Sequence, residues 1–253
     1  MRILSVPLSI PMHHTDNIYH IYLYFGTHAI CRQMSEDKKY AQTSHKFEPR
    51  YNGPDPSEMS PAQTEIYNSI LQSRPRTGVS GPFGPWLSIP SIADPAQKLG
   101  QACRYGTSLS FRESELVILL TGARHASHAE FDIHVGEAIK AGISMGLIES
   151  IPRDDAFSMK AVEDGVVKYL QEKCENLNQS NRDVTIVRFA SELLETSTVS
   201  DQRYNEAKME LGGDSVLVEI TSIIGYYTYC AYTLNVFRIP TKPRKVDLIP
   251  SEK

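Results

Sequence analysis

Glu115, Glu130 and His134 lie within one stretch of the chain, Ser110 to Gly142, which also holds Glu137, His125 and His128 and is denser in titratable groups than any other window. Glu130 and His134 are four residues apart, which on a helix sets them about 40° apart around the axis and within reach of each other. Ser127 and Glu137 flank the same stripe, and Glu115 comes from the segment before it. Two carboxylates and an imidazole meeting beside apolar surface form an environment that drives pKa values apart, leaving one group as an acid and another as a base. The plainer alternative is that Glu130 only completes a helix cap, that Glu115 is an exposed first-turn carboxylate, and that Glu130 and His134 share a solvated face.

No metal is expected here. Neither H-E-x-x-H nor E-x-x-H occurs, and His125 and His128 precede or open the helix, so they face differently from His134.

These side chains need two helices to position them. Ser110 with Glu113 three residues on reads as a capping box, and Leu116, Leu119, Leu120 and Ala123 then recur at helical spacing, so this helix should bury one face. Ser127 with Glu130 reads as a second capping box, opening a helix through Ala129, Ile133, Ala138 and Ala141 that Gly142 terminates. The unit is a helix hairpin.

The surrounding segments are also helical. Ser60, Pro61 and Gln63 open a helix to about Ser73, and Asp94 and Pro95 open another to Tyr105. Between them Gly78 to Pro90 is rich in proline and glycine and predicts an extended loop around Trp86, which serves either as core packing or as a pocket wall. Past the hairpin come a turn near Met145 to Glu149, helices through Val162 to Leu170 and Val187 to Leu193, a short helix Asp201 to Leu211 closed by Gly212 and Gly213, and a long apolar one, Ser215 to Phe237. On the last, Tyr226, Tyr227 and Tyr229 suit core or subunit contacts, with Tyr226 or Tyr227 lining the pocket as the alternative. No segment alternates as a strand does, so the class is all-α. The expected organisation is an extension over residues 1–54, either unstructured or an arm, a helical domain over 55–242, and a tail over 243–253.

At 253 residues the chain can bury a full core. A net charge of -4, without a basic cluster, gives no reason to expect nucleic acid. Cys31, Cys103, Cys174 and Cys230 include no C-x-x-C pair, so the simplest setting is the reducing cytoplasm. No apolar run approaches the roughly 18 to 20 residues that span a bilayer, so no membrane partner is expected. The first residues, MRILSVPLSIPMHH, make a poor signal peptide. A shift of about 101 residues lays Leu116, Val117 and Leu119 on Leu217, Val218 and Ile220, and His134 on Asn235, a faint echo that predicts two related helix hairpins.

R-E-x-E-L-V-I-L-L in the first helix of the hairpin, E-F-x-x-H in the second, A-G-I-S after it, and the distal L-G-G, L-V-E-I, G-Y-Y and N-V-F-R-I-P together resemble the carboxymuconolactone decarboxylase family, which includes the AhpD-like alkylhydroperoxidases. The likeness runs from about Ser60 to Pro240. It implies an AhpD-like helical bundle with a doubled helix-hairpin repeat, assembled as a homo-oligomer, a trimer or a multiple of one.

In the thiol branch of that family a glutamate is followed by C-x-x-C and then a histidine. Glu115 and His134 match the outer positions, but Ser127 and Glu130 stand where the cysteines would be, so disulfide chemistry is not available there. The positive end of the second helix would keep Glu130 ionised, making it the base or the group that orients His134, while a protonated His134 or Glu115 is the acid. The resemblance implies a cofactor-free decarboxylase of a small carboxylated lactone, enol or polyketide-like molecule, with Arg124 and His125 in the turn holding a carboxylate or enolate oxygen, and Ser127, Trp86 and Tyr227 completing the substrate site. The alternatives are a dehydratase, isomerase or cyclase on the same scaffold, a peroxidase using Cys103 or Cys230, and a binding subunit without chemistry.

Overall fold

Helix starts written into the sequence set the frame. The computed structural model describes residues 48–74, 78–174 and 176–240; the expectations for the first 47 residues and for the C-terminal tail lie outside the described residues. Ser60 Oγ accepts from the Gln63 N–H while the Gln63 side chain accepts from the Ser60 N–H, and α1 runs over Pro61–Ser73. The same reciprocal cap, Ser110 with Glu113, opens α4, Phe111–Arg124. Between them lie α2, Phe83–Leu87, and α3, Pro90–Tyr105.

The expected loop around Trp86 instead contains a helical turn, in which Phe83, Pro85, Trp86 and Leu87 are all buried. α3 begins four residues before the expected start: Pro90 takes the tolerated first-turn position and Pro95 lies inside the helix.

α5 covers His128–Lys140 and α6 Met145–Glu149. α7, Met159–Val162, passes through a π-helical stretch, Glu163–Val167, into α8, Lys168–Lys173. α9, Leu177–Thr196, α10, Asp201–Leu211, and α11, Asp214–Phe237, complete the order. Left-handed residues at Ser197 and Gly212 stop α9 and α10. All regular structure among the described residues is helical, and none of those helices is long and apolar enough to cross a membrane.

α4 is the centre, packed against α5, α9 and α11. The sequence pattern predicts one buried face, whereas every residue from Glu113 to Ala123 is buried. Val117, Ile118, Thr121 and Gly122 fill the sides that the leucine stripe leaves open, and a helix apolar all round belongs inside. A Cβ at Gly122 would come within 3.3 Å of the Phe131 nitrogen, so glycine is what lets α5 close on α4 beside the turn. Leu217 to Asn235, on which the 101-residue shift lays Leu116 to His134, is one unbroken stretch of α11 with no turn in it. Residues before α1 also join the fold: the Arg50 N–H donates to the Phe237 carbonyl oxygen at 2.8 Å and Tyr51 Oη lies 2.7 Å from Ser88 Oγ.

Candidate functional site

Because α4 is enclosed, Glu115 on its second turn is 1% exposed, and α5 lays His134 and Glu130 against it at 3% and 4%. The His134 Nδ1–H donates to Glu115 Oε2 at 2.7 Å, and its Nε2 lies 3.3 Å from Glu130 Oε1. Both ring nitrogens thus face carboxylate oxygens, and the arrangement is satisfied when both carry protons. Burial alone would lower the imidazole pKa, but Glu115 first and Glu130 second outweigh it and hold it at about 9. At neutral pH His134 is an imidazolium, an acid rather than a base. Its Nε2 also lies 3.5 Å from Arg104 Nη1, but two donors cannot share that line, so Glu130 is the partner of the charged ring.

Around this pair is a cavity of about 340 Å³. Glu130, His134 and Glu137 line it from α5, Arg104 from α3, and Tyr226, Tyr227 and Cys230 from α11. Glu115 does not reach the cavity; it stands behind the imidazole. Tyr227 sets its ring edge-on to His134, with centroids 5.1 Å apart, and burial raises its phenol pKa. Ile133, expected in the core with Ala129 and Ala138, is 44% exposed and lies along the cavity.

Arg104 is the charged cavity residue that sequence reasoning missed. Its Nη2 lies 3.2 Å from Glu137 Oε2 and 3.7 Å from Glu115 Oε1, and its Nη1 donates to Tyr227 Oη at 3.4 Å. Burial would lower its pKa, but Tyr227 and Glu115 reverse that and raise it, so the guanidinium stays charged. No local signal marks it: it sits in an ordinary amphipathic helix, 30 residues from His134.

Four of the expected site residues lie elsewhere. Arg124 donates through Nε to the Leu194 carbonyl oxygen at 3.1 Å, tying the end of α4 to α9. His125 turns to α11, its Nε2 3.0 Å from Thr228 Oγ1 and its ring edge-on to Tyr232, and burial followed by Arg124 lowers its pKa. Trp86 donates to Thr233 Oγ1 at 3.0 Å and stacks on Tyr229, so its neighbour Phe83 meets the cavity instead. Ser127 does not cap α5: Ala126 is left-handed at φ 50, Ser127 takes φ -94 and ψ 82, and its buried Oγ has no hydrogen-bond partner among the described residues. With the second cap unmade, Glu130 is free to turn to His134.

Among the described residues no group of three or more His, Cys, Asp or Glu is arranged to hold a metal ion. Burial raises the pKa of both Cys103 and Cys230, so each is a thiol rather than a thiolate. No protein-family model matches the chain, and no curated protein matches it.

Proposed function

We propose that the chain is an enzyme of acid-base chemistry that needs no cofactor, and that it decarboxylates a small carboxylated lactone, enol or polyketide-like molecule. The observation that carries this reading is the imidazolium of His134, held between Glu115 and Glu130 with Glu130 at its side in the cavity wall. A charged imidazole in the wall of the cavity is a proton donor kept loaded at neutral pH.

In the proposed step the bond from the reacting carbon to its carboxylate breaks, carbon dioxide leaves, and the electron pair passes into a conjugated carbonyl as an enolate. His134 Nε2 gives its proton to that carbon, and solvent restores it by way of Glu130. Arg104, in place of Arg124 and His125, stabilises the enolate oxygen, and Tyr227 and Glu137 hold the guanidinium in position. Glu115 keeps Nδ1 protonated and the ring oriented; it is a positioning residue.

A carboxylate beside a loaded acid also suits moving a proton between two carbons, which makes isomerisation or ring closure the second reading. The family resemblance supports this chemistry and adds a homo-oligomer, for which Val218, Tyr229, Tyr232 and Val236 along the exposed face of α11 offer a contact surface. Incubation with a panel of β-keto acids and carboxylated lactones in deuterium oxide tests the scheme. Decarboxylation gives loss of carbon dioxide with one deuterium on the former carboxyl-bearing carbon, whereas isomerisation leaves the atoms of the skeleton in place. His134→Ala is expected to lose at least about 100-fold in kcat with its circular dichroism unchanged, and turnover at the parent rate in that variant rejects the scheme.

A further inference from the structure

The cavity holds a second guanidinium for which the acid-base chemistry has no use. Arg74, at the C-terminal end of α1, is 7% exposed and lines the cavity. Its partners among the described residues are all neutral. Nη1 donates to Ser73 Oγ at 2.9 Å and points to Gln97 Oε1 at 3.5 Å, Nη2 donates to the Gln97 carbonyl oxygen at 3.0 Å, and the planar group lies over the Phe83 ring, 4.5 Å from its centroid.

Two partly buried arginines are paired. Arg104 has Glu137 at 3.2 Å and Arg112 has Asp183 at 2.8 Å, while no carboxylate among the described residues lies within ion-pair distance of Arg74. Removing a charge from water without a counter-charge is costly, so buried cations are normally paired. An unpaired one in a cavity wall, with guanidinium donors still unused, is a site for an anion.

Its place in the cavity separates it from the acid. Gln97, which holds Arg74, and Arg104, which lies beside His134, are two turns apart on α3, about 10 Å along the axis. Gly100 sits between them, and a Cβ there would fall 2.1 Å from Tyr226 Oη. The missing side chain lets Tyr226 reach α3 and wall the space from one guanidinium to the other.

We propose that Arg74 anchors an oxyanion of the substrate, apart from the group that reacts at His134, and so selects acidic molecules for this cavity. The proposal rests on the reading of the cavity as a substrate site and not on the reaction run there.

Calorimetric binding of benzoate and of benzamide, which have the same shape and differ in charge, tests it without turnover. The intact chain is expected to bind benzoate at least about tenfold more tightly, the factor that one charge-assisted hydrogen bond supplies. Arg74→Gln is expected to cut that preference to within about twofold, and Arg74→Lys to keep part of it. Equal affinities for the two probes in the parent protein overturn the proposal, as does a preference that survives Arg74→Gln, which would place the anion at Arg104 or Lys140. Should Arg74→Gln fail to fold, Arg104→Gln and Lys140→Gln decide instead: the benzoate preference should persist in both, and its loss in either would place the anion there and overturn the proposal. A benzoate preference in a protein that decarboxylates none of the acids would reject the proposed reaction and leave the anion site standing.

Discussion

His125 and His134 belong to the same hairpin, nine residues apart, and the fold gives them opposite characters. Burial lowers the pKa of each. At His125 the neighbours are the Thr228 hydroxyl, the Tyr232 ring, the Asn235 side chain at its backbone carbonyl, and the cation of Arg124, so nothing offsets the loss of water and the ring stays neutral. At His134 two carboxylates more than offset it. Enclosure by itself therefore disarms a histidine; enclosure against acids loads it with a proton.

The contrast breaks most sharply in turnover. His125→Ala is expected to leave kcat within about twofold of the parent, against the at least hundredfold loss for His134→Ala. Equal losses in the two variants would mean that the turn, and not the cavity, carries the chemistry.

Titration sharpens it next. In nitrogen-detected NMR the His134 ring should lose its proton near pH 9 and the His125 ring below the ordinary 6.5. Glu115→Gln should lower the His134 value more than Glu130→Gln does, since Glu115 is the larger cause. The reverse order would transfer the orienting role to Glu130.

Stability should follow in the directions that linkage requires. His134 has its folded pKa above the unfolded one, so its contribution is complete below about 6.5 and is lost as pH rises through about 9. His125 has its folded pKa depressed, so its contribution is present above the unfolded value and lost as pH falls through the folded one. Denaturant midpoints of His134→Gln and the parent should therefore converge in alkaline solution. A gap that widens above pH 9 would contradict the imidazolium.

The smallest effect separates the two serines that open the hairpin helices. Ser110→Ala should cost about 1 kcal/mol, the usual value of a lost N-cap. Ser127→Ala should be neutral or slightly stabilising in the same unfolding measurement, because it removes a buried hydroxyl without a hydrogen-bond partner among the described residues. A matching loss at Ser127 would show that it caps α5 after all.

The difference between those serines also shows how far local patterns reach. S-x-x-E occurs at both, yet only Ser110 has the extended backbone a cap needs; the left-handed turn at Ala126, forced where α5 folds back tightly on α4, takes Ser127 out of that geometry. Glu130 and His134 were legible because i, i+4 spacing survives any packing of the helix that bears them. Arg124, His125 and Trp86 were misplaced because nearness in sequence to the hairpin says nothing about which neighbouring helix a side chain meets.

What the sequence alone determined is whatever depends on residues a few positions apart: the helix starts at Ser60 and Ser110, the stops at Gly142 and Gly212, the hairpin, and the Glu130 and His134 pair. Only the tertiary structure decided that α4 is enclosed on all sides, which puts Glu115 behind the imidazole instead of in water, and that α3 brings Arg104 beside it. The physical reason is that helix formation is governed by local hydrogen bonds and side-chain spacing, whereas the charge state of a buried group is set by every element packed against it, and those elements come from distant parts of the chain.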